Sequence, residues 1–262
     1  NPGVVAVSGA HREILADGTP TGRYNRPTLT PAGDATYAPA IEPALTQPFF
    51  MARRAALHAV GGYRAFPVSE DSDLYWRLAE VGQLANLPDV LGSYRLHTGS
   101  ISAASVVNGR LMAVCSQLAA LSARRRASGQ PDITLPPAPR WREAGQIAPM
   151  LAEAAADAGV TGAEFPWLRV AVAAKLMELA GYRPYEVEEP DCAFIAGALE
   201  RDARNLPAAN RADLGRMRAA TAARLLRGGQ ISAALRLAPA GLLPQTLLRA
   251  ATGRLYWTKH LS

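Results

Sequence analysis

A change in composition between Ile101 and Ser105 sets the main constraint on what this chain can fold into. Before it, short apolar runs alternate with Gly, Pro and Asn; after it, the sequence is rich in Ala, Leu and Arg. Apolar residues spaced by three and four mark one face of a helix, whereas short apolar runs bounded by turn residues are typical of strands. The sequence therefore predicts a mixed α/β part over 1–104 and an all-helical part over 105–262.

Length and charge limit the classes of partner. The chain has 262 residues, of which 49% are hydrophobic, enough to bury a sizeable core. A net charge of +6 favours anionic partners such as nucleotide diphosphates or anionic membrane. Aromatic residues make up only 6% and are scattered, so no stacking platform for nucleic acid is indicated. We therefore predict no nucleic-acid partner.

Cysteine use and hydropathy point to a soluble protein of a reducing compartment. Cys115 and Cys192 are far apart and lack zinc-ligand spacing, so we expect small buried residues on helices. No apolar run reaches the roughly 18 residues that a membrane span needs. The predicted location is the cytoplasm, with peripheral contact at the inner face of the membrane as a further possibility. Because the chain opens on Asn1-Pro2-Gly3 and an apolar run, we expect it to be a fragment.

The first part contains several predicted elements. Val4 to Ser8 reads as a buried strand, and 18–41 as a long polar loop with four prolines. A short helix is predicted over 53–60, ended by Gly61-Gly62, and Leu84 to Leu91 reads as a strand and turn broken at Pro88.

An acidic helix is the most informative element of this part. Ser69 is a suitable N-cap, and Leu74, Leu78 and Val81 follow at helical spacing before Gly82. Three carboxylates occupy the first turn, namely Glu70, Asp71 and Asp73. The unpaired N–H groups and the dipole of a helix N-terminus favour the charged form of a carboxylate. We therefore expect Asp71 to be ionised at neutral pH.

The second part is predicted to consist of amphipathic helices. After a helix that starts near Val107 and ends in Arg124-Arg125-Arg126, further helices are expected near 143–158, 166–180, 192–204, 211–227 and 230–237. The three arginines are expected to form a solvated helix end that suits the dipole. The segment 241–261 is predicted to be a docked terminal helix, with an anionic membrane surface as the alternative.

Three motifs in the first part resemble the acceptor-side half of family 2 glycosyltransferases of the GT-A fold. The first runs from Met51-Ala52-Arg53-Arg54 to Gly61-Gly62-Tyr63, and the second is Glu70-Asp71-Ser72-Asp73-Leu74 with Arg77. The third is Tyr94-Arg95-Leu96-His97-Thr98-Gly99-Ser100. The resemblance covers residues 1 to about 104 and implies a partial Rossmann-like domain that lacks the N-terminal nucleotide-binding half.

The resemblance implies sugar transfer with inversion from a nucleotide-sugar donor to a glycan, lipid-linked or protein acceptor, as in the synthesis of cell-envelope polysaccharides. Asp71 would be the general base that accepts the proton of the acceptor hydroxyl. Glu70, Asp73 and Arg77 would support it, and Gly61, Gly62 and Tyr63 would lie on the acceptor side.

The same resemblance implies a divalent metal, Mg²⁺ or Mn²⁺, beside the diphosphate of the donor. His97 would ligate the metal or the diphosphate, with Arg95 and Ser100 on the same side. Asp71-Ser72-Asp73 is not expected to be the metal-binding Asp-x-Asp motif, because it opens a helix instead of ending a strand. Asp73 is expected to cap the helix or pair with Arg77, and the metal motif to lie before Asn1.

One alternative from a different class stays open. The chain could be a non-catalytic binding or scaffold module whose helical region docks a partner or a membrane surface.

Overall fold

A computed structural model describes residues 1–97, 105–182 and 187–252 of the chain. The strands of these ranges are β1 (Val4–Ile14), β2 (Pro20–Asn25), β3 (Met51–Ala52) and β4 (Gln83–Arg95). The helices of the first part are α1 (Arg54–Ala59) and α2 (Glu70–Val81). Those of the second part are α3 (Val106–Ala127), α4 (Ile147–Asp157), α5 (Phe165–Tyr182), α6 (Glu189–Asp202), α7 (Ala208–Arg227), α8 (Ile231–Leu237) and α9 (Leu243–Thr252). The chain is thus mixed first and helical afterwards, as its composition predicts.

Strand β1 is the centre of the sheet. It pairs in parallel with β4, from Val4 opposite Gln83 to Ile14 opposite Arg95. On its other side it pairs antiparallel with β3 near its start and with β2 near its end. Parallel neighbours need a crossover connection, and α1 and α2 lie within the one that joins β1 to β4. The acidic helix therefore runs next to the central strand.

The strand predictions are right in position and wrong in extent. The predicted strand Val4 to Ser8 is confirmed but continues to Ile14. The predicted loop 18–41 contains β2. Strand β4 continues through Pro88, but its pairing with β1 shifts register at the predicted break, from Leu87 directly to Val90. Among the described strands β4 pairs only with β1, so a proline, which lacks an N–H donor, fits its unpaired edge.

The two helices of the first part lie where their sequence signals put them. After α1, Gly61 and Gly62 have φ values of 77° and 68°, in the left-handed region that glycine adopts without a Cβ clash. On α2 the predicted core residues Leu74 and Leu78 are fully buried. Val81 is 49% exposed, so its assignment to the core is wrong: it is the last residue of the helix, beside Gly82.

Two hydrophobic cores hold the molecule together. A small core lies between the sheet and the first helices and consists of Val5, Ala6, Leu45, Ala56, Leu74, Tyr75, Leu78 and Leu84. The large core lies among the helices of the second part, yet it also includes Phe66, Val68 and Trp76 from the first part. The change in composition near 101–105 therefore does not separate two independent packing units.

Residues 34–42, which we name the strap, form the second contact between the two parts. Ala38 and Ala40 of the strap are buried in the large core. The side chain of Asn210 on α7 accepts from the Ala38 N–H at 3.0 Å and donates to the Ala38 carbonyl at 2.7 Å. The Ala40 N–H donates to Gln117 of α3 at 2.9 Å. The end of the predicted polar loop is thus fastened to the helical part.

The arginines at the end of α3 are not a solvated helix end, contrary to expectation. Arg125 is buried and pairs with Glu164 at 2.6 Å, an interaction that lowers the pKa of that carboxyl to about 2. Arg126 pairs with Glu80 of α2 at 2.8 Å, and Arg124 lies over the Trp167 ring. Sequence distances of 39 to 46 residues separate the two ion-paired arginines from their partners, so helical periodicity could not reveal them.

Both cysteines are free and buried on helices, as predicted, with Cys115 on α3 and Cys192 on α6. Burial raises the pKa of the Cys192 thiol to about 12. Helix α3 meets the length and hydropathy expected of a membrane span, although 83% of that stretch is buried inside the protein. Such burial is typical of a core helix.

Candidate active site

The N-terminus of α2 places the acidic motif at the interface between the two parts of the chain. The helix begins at Glu70, directly after Ser69, which has a left-handed conformation with φ 58°. The Ser69 side chain makes no capping hydrogen bond, so its predicted capping role is wrong. The first turn leaves N–H groups that need other acceptors, and one of them, that of Ser72, donates to the Asp71 carboxylate at 2.9 Å.

Asp73 is fully buried and neutralised by two arginines. Arg77 donates to Asp73 Oδ2 from Nη2 at 2.6 Å and from Nε at 3.0 Å, which confirms the predicted pair one turn along the helix. Arg64, from the loop before α2, donates to both carboxylate oxygens. Two arginines around one buried carboxylate leave it poorly suited to bind a metal. The geometry thus agrees with a structural role for Asp73 and with the prediction that Asp71-Ser72-Asp73 is not a metal motif.

Arg77 also connects the acidic helix to the glycine turn. Its Nη1 donates to the carbonyl oxygens of Val60 at 2.5 Å and of Gly62 at 2.7 Å. The left-handed glycines aim these two carbonyls at the guanidinium, while Asp73 holds its other side. Two of the three motifs that carry the family resemblance are therefore fastened together by one side chain.

Asp71 has a different environment from Asp73. It is half-buried, and none of the ion pairs among the described residues involves it. Burial raises the pKa of Asp71, and the nearby negative charges of Glu70 and Glu42 raise it further. The favourable N–H of Ser72 acts in the opposite direction but does not prevail. The carboxylate is therefore more basic than its place at a helix N-terminus suggested, and its ionisation at neutral pH stays a prediction.

Tyr75 lies near Asp71 and is joined to Tyr63 through Gln47. The Tyr75 hydroxyl donates to Gln47 Oε1 at 2.9 Å, and Gln47 Nε2 donates to the Tyr63 hydroxyl at 3.0 Å. Burial, together with the charge of Asp71, raises the pKa of Tyr75. Tyr63 is half exposed, so this chain of polar groups reaches solvent.

Sequence reasoning identified Tyr63 but missed Tyr75 and Gln47. Tyr75 lies four residues after Asp71, a spacing that places both on one helix face and could have revealed it. Gln47 gave no such signal, because it comes from a short 3₁₀ helix, Gln47–Phe49, 28 residues before Tyr75. Glu42 was missed for the same reason: its carboxylate accepts from Ser72 Oγ at 2.5 Å across 30 residues.

Two residues predicted for the diphosphate side, Arg95 and His97, lie at or just after the end of β4. Arg95 donates to the carbonyl oxygens of Leu15 and Ala16 at 3.3 and 2.7 Å, so its guanidinium holds the turn between β1 and β2. His97 is exposed, and no hydrogen bond or ion pair described in the structure joins it to Asp71. Ser100 lies outside the described residues. Among the described residues, Arg77 joins the first two motifs, whereas no described hydrogen bond or ion pair joins Arg95 or His97 to them.

The described ranges contain no group of three or more His, Cys, Asp or Glu side chains that could hold a metal ion. His97 alone could supply no more than one metal ligand. The buried Asp73 carboxylate already pairs with Arg64 and Arg77. The residues described do not by themselves fit a metal centre.

His11 is a further buried polar residue that the sequence did not reveal. It lies 5.7 Å from the Phe49 ring and 5.3 Å from the Tyr94 ring, between centroids. Its Nδ1 is buried without a hydrogen-bond partner in the described part of the chain, and burial lowers the pKa of the imidazole. Burial in the central strand therefore favours the neutral form of this histidine.

A cleft of about 800 Å³ lies elsewhere on α2. Its walls come from the loop 30–36, from Trp76 and Glu80 of α2, and from the end of α3 at Arg124 and Ser128. None of the predicted site residues within the described ranges lines it. The cleft is therefore a feature separate from the surroundings of Asp71.

Comparisons with models of protein families, with curated proteins and with solved structures find no match to this chain. The family resemblance consequently rests on the three sequence motifs alone.

Proposed function

We propose that this chain is the acceptor-side part of an inverting glycosyltransferase, with Asp71 as general base. Its mixed part would be half of a Rossmann-like GT-A domain, and the enzyme would transfer sugar from a nucleotide sugar to a glycan, lipid-linked or protein acceptor. In this proposal the enzyme works in the cytoplasm or at the inner face of the membrane.

The contrast between Asp71 and Asp73 is the observation that carries the proposal. Both lie in the first turn of α2, but Asp73 is enclosed by Arg64 and Arg77, whereas Asp71 is half-buried with a raised pKa. A general base needs a reachable carboxylate whose proton affinity is above that of a free aspartate. Of these two carboxylates, Asp71 alone meets that requirement.

The chemistry follows from this arrangement. The acceptor hydroxyl would lie within hydrogen-bond reach of Asp71, which takes its proton as the oxygen attacks the anomeric carbon. The bond between that carbon and the diphosphate oxygen breaks, and the nucleoside diphosphate leaves with the electron pair. Attack opposite to the leaving group inverts the anomeric configuration. Tyr63, exposed at the end of the Gln47 bridge, offers a ring and a hydroxyl to the acceptor.

A divalent metal would neutralise the leaving diphosphate when bound. His97 remains our predicted contact to the metal or diphosphate, and Ser100 our predicted neighbour on that side. Further ligands would have to come from outside the described residues, so no step is assigned to the metal here.

Replacing Asp71 by Asn in the complete enzyme tests the proposal. We expect the turnover number to fall by about 10²–10⁴-fold, because the amide cannot accept the proton. Asp89→Asn on the exposed edge of β4 is the matched control and should leave transfer unchanged. Wild-type turnover in Asp71→Asn, measured by release of nucleoside diphosphate, would reject the assignment.

A second candidate is a non-catalytic docking module, which the surface of the last helices favours. Helix α9 buries Thr246 and leaves Leu247 and Leu248 58% and 66% exposed, and α8 exposes Ile231 and Leu235. Apolar side chains near basic residues suit a partner or membrane surface. Calorimetric titration of the chain with uridine and thymidine diphosphate sugars separates the candidates, because metal-dependent, tight binding contradicts a purely docking role.

A further inference from the structure

A charged residue of the strap connects the helical part to the N-terminus of α2. Its end residue Glu42 has one oxygen 2.6 Å from Lys175 Nζ on α5, and its other oxygen accepts from Ser72 Oγ at 2.5 Å. Lys175 also contacts Glu178 at 2.9 Å and is itself buried. A continuous line of contacts thus runs from α5 through the strap to the residue next to Asp71.

Backbone contacts fix the strap before it reaches Glu42. Asn210 holds Ala38 by two hydrogen bonds, Gln117 holds Ala40 by one, and Trp167 donates to the Thr36 carbonyl at 3.3 Å. Three different helices therefore contribute to the position of Glu42. These contacts keep the Glu42 carboxylate at a fixed position relative to α2.

Several titratable groups face Asp71. Glu70 belongs to the same helical turn, Glu42 comes from the strap, and Tyr75, itself near Tyr63, lies one turn along α2. The charges of Glu70 and Glu42 favour the protonated form of Asp71. Lys175 offsets part of the Glu42 charge, so the net field at Asp71 depends on a residue of the helical part.

We propose that Glu42 and Lys175 are positioning residues, through which the helical part fixes the first turn of α2 and the electrostatic field at Asp71. Their importance for transfer rests on the proposed function. Their effect on the Asp71 carboxyl does not, and it can be measured in the chain without donor or acceptor.

Two substitutions should shift the Asp71 titration in opposite directions. Glu42→Gln keeps an oxygen acceptor for Ser72 but removes the negative charge, so the pKa of Asp71 should fall. Lys175→Met keeps an unbranched side chain but leaves Glu42 uncompensated, so the pKa should rise. We expect changes of about threefold to tenfold in the proton dissociation constant, as for a unit charge a few ångströms away in partly solvated surroundings.

The measurement is a carbon-13 NMR pH titration of the Asp71 carboxyl in the 262-residue chain, with Asp71→Asn to assign the resonance. Lys175→Arg restores the cation and should restore the wild-type titration. Urea unfolding of each variant verifies that it is folded. If Glu42→Gln does not fold, the Lys175→Met and Lys175→Arg pair decides the matter by itself.

Opposite shifts, with recovery in Lys175→Arg, support the proposal. Shifts in one direction for both variants, or unchanged titration in folded variants, overturn it. Failure of the proposed function has a separate signature, since Asp71→Asn would then retain transfer in the complete enzyme whatever the titrations show.

Discussion

The small core beneath the sheet and the large helical core differ in which parts of the chain contribute their residues. The small core contains eight buried residues, all from the first part of the chain. The large core draws on both parts, since Phe66, Val68 and Trp76 belong to it. Few buried residues give little stability by themselves. The comparison teaches that the head of α2, and Asp71 with it, depends for its position on a helical part that carries no predicted catalytic residue.

The largest effect should come from breaking the buried Asp73–Arg64–Arg77 cluster of the first part, which reaches the helical part because Arg64 also pairs with Asp132 at 3.0 Å. Asp73→Ala leaves Arg64 and Arg77 without their shared carboxylate, and removing one partner of a buried ion pair costs about 3–5 kcal/mol. Urea denaturation followed by circular dichroism measures the loss in free energy of unfolding.

Asp71→Asn is the matched control, two residues away on the same helix. Because the raised pKa means that ionised Asp71 disfavours the folded state at neutral pH, its removal should leave stability unchanged or higher. Equal destabilisation by the two substitutions would contradict the division of roles between these carboxylates.

A smaller loss should follow from loosening the strap. Asn210→Ala removes both hydrogen bonds to Ala38 and leaves two buried backbone groups without partners, for a cost of about 1–3 kcal/mol. Exposed Asn205→Ala, in the turn between α6 and α7, should stay within about 0.5 kcal/mol of wild type. If the two variants unfold at the same urea concentration, the strap does not couple the parts.

The smallest effect should be the pH dependence of stability that His11, in the central strand of the sheet, causes. His11 has a lowered pKa when folded, so below its unfolded value of 6.5 the unfolded chain binds more protons than the folded one. Stability should therefore decline as pH falls from 6.5 toward the folded pKa and recover as pH rises. His11→Phe should weaken this dependence in thermal melts between pH 7 and 5; an unchanged slope would show that other groups cause it.

Much of the fold could be predicted because local periodicity determined it. The helices near 166–180 and 211–227 were expected within a few residues, since their apolar faces repeat at helical spacing. The strap could not be predicted, because its partner Asn210 lies 172 residues from Ala38. Polar contacts at that separation leave no periodic signal in a single sequence.

The candidate site shows the same limit. Motif spacing identified Asp71 and the Asp73–Arg77 pair, both of which depend on residues of one helix. The direction of the Asp71 pKa shift was missed, because burial and Glu42 come from packing that only the folded chain defines. The neighbouring charge of Glu70 and the free N–H groups of the helix end were visible in the sequence, but burial, the largest cause of the shift, was not.

The two ion pairs that Asp73 makes with Arg64 and Arg77 affect how such motifs change during evolution. If the proposed function holds, a descendant that lost sugar transfer would be free to replace Asp71, yet would still need Asp73 in order to fold. A relative that keeps Asp73 but has lost Asp71 would therefore be a chain without catalytic activity. Retention of both aspartates would indicate continuing selection for that activity.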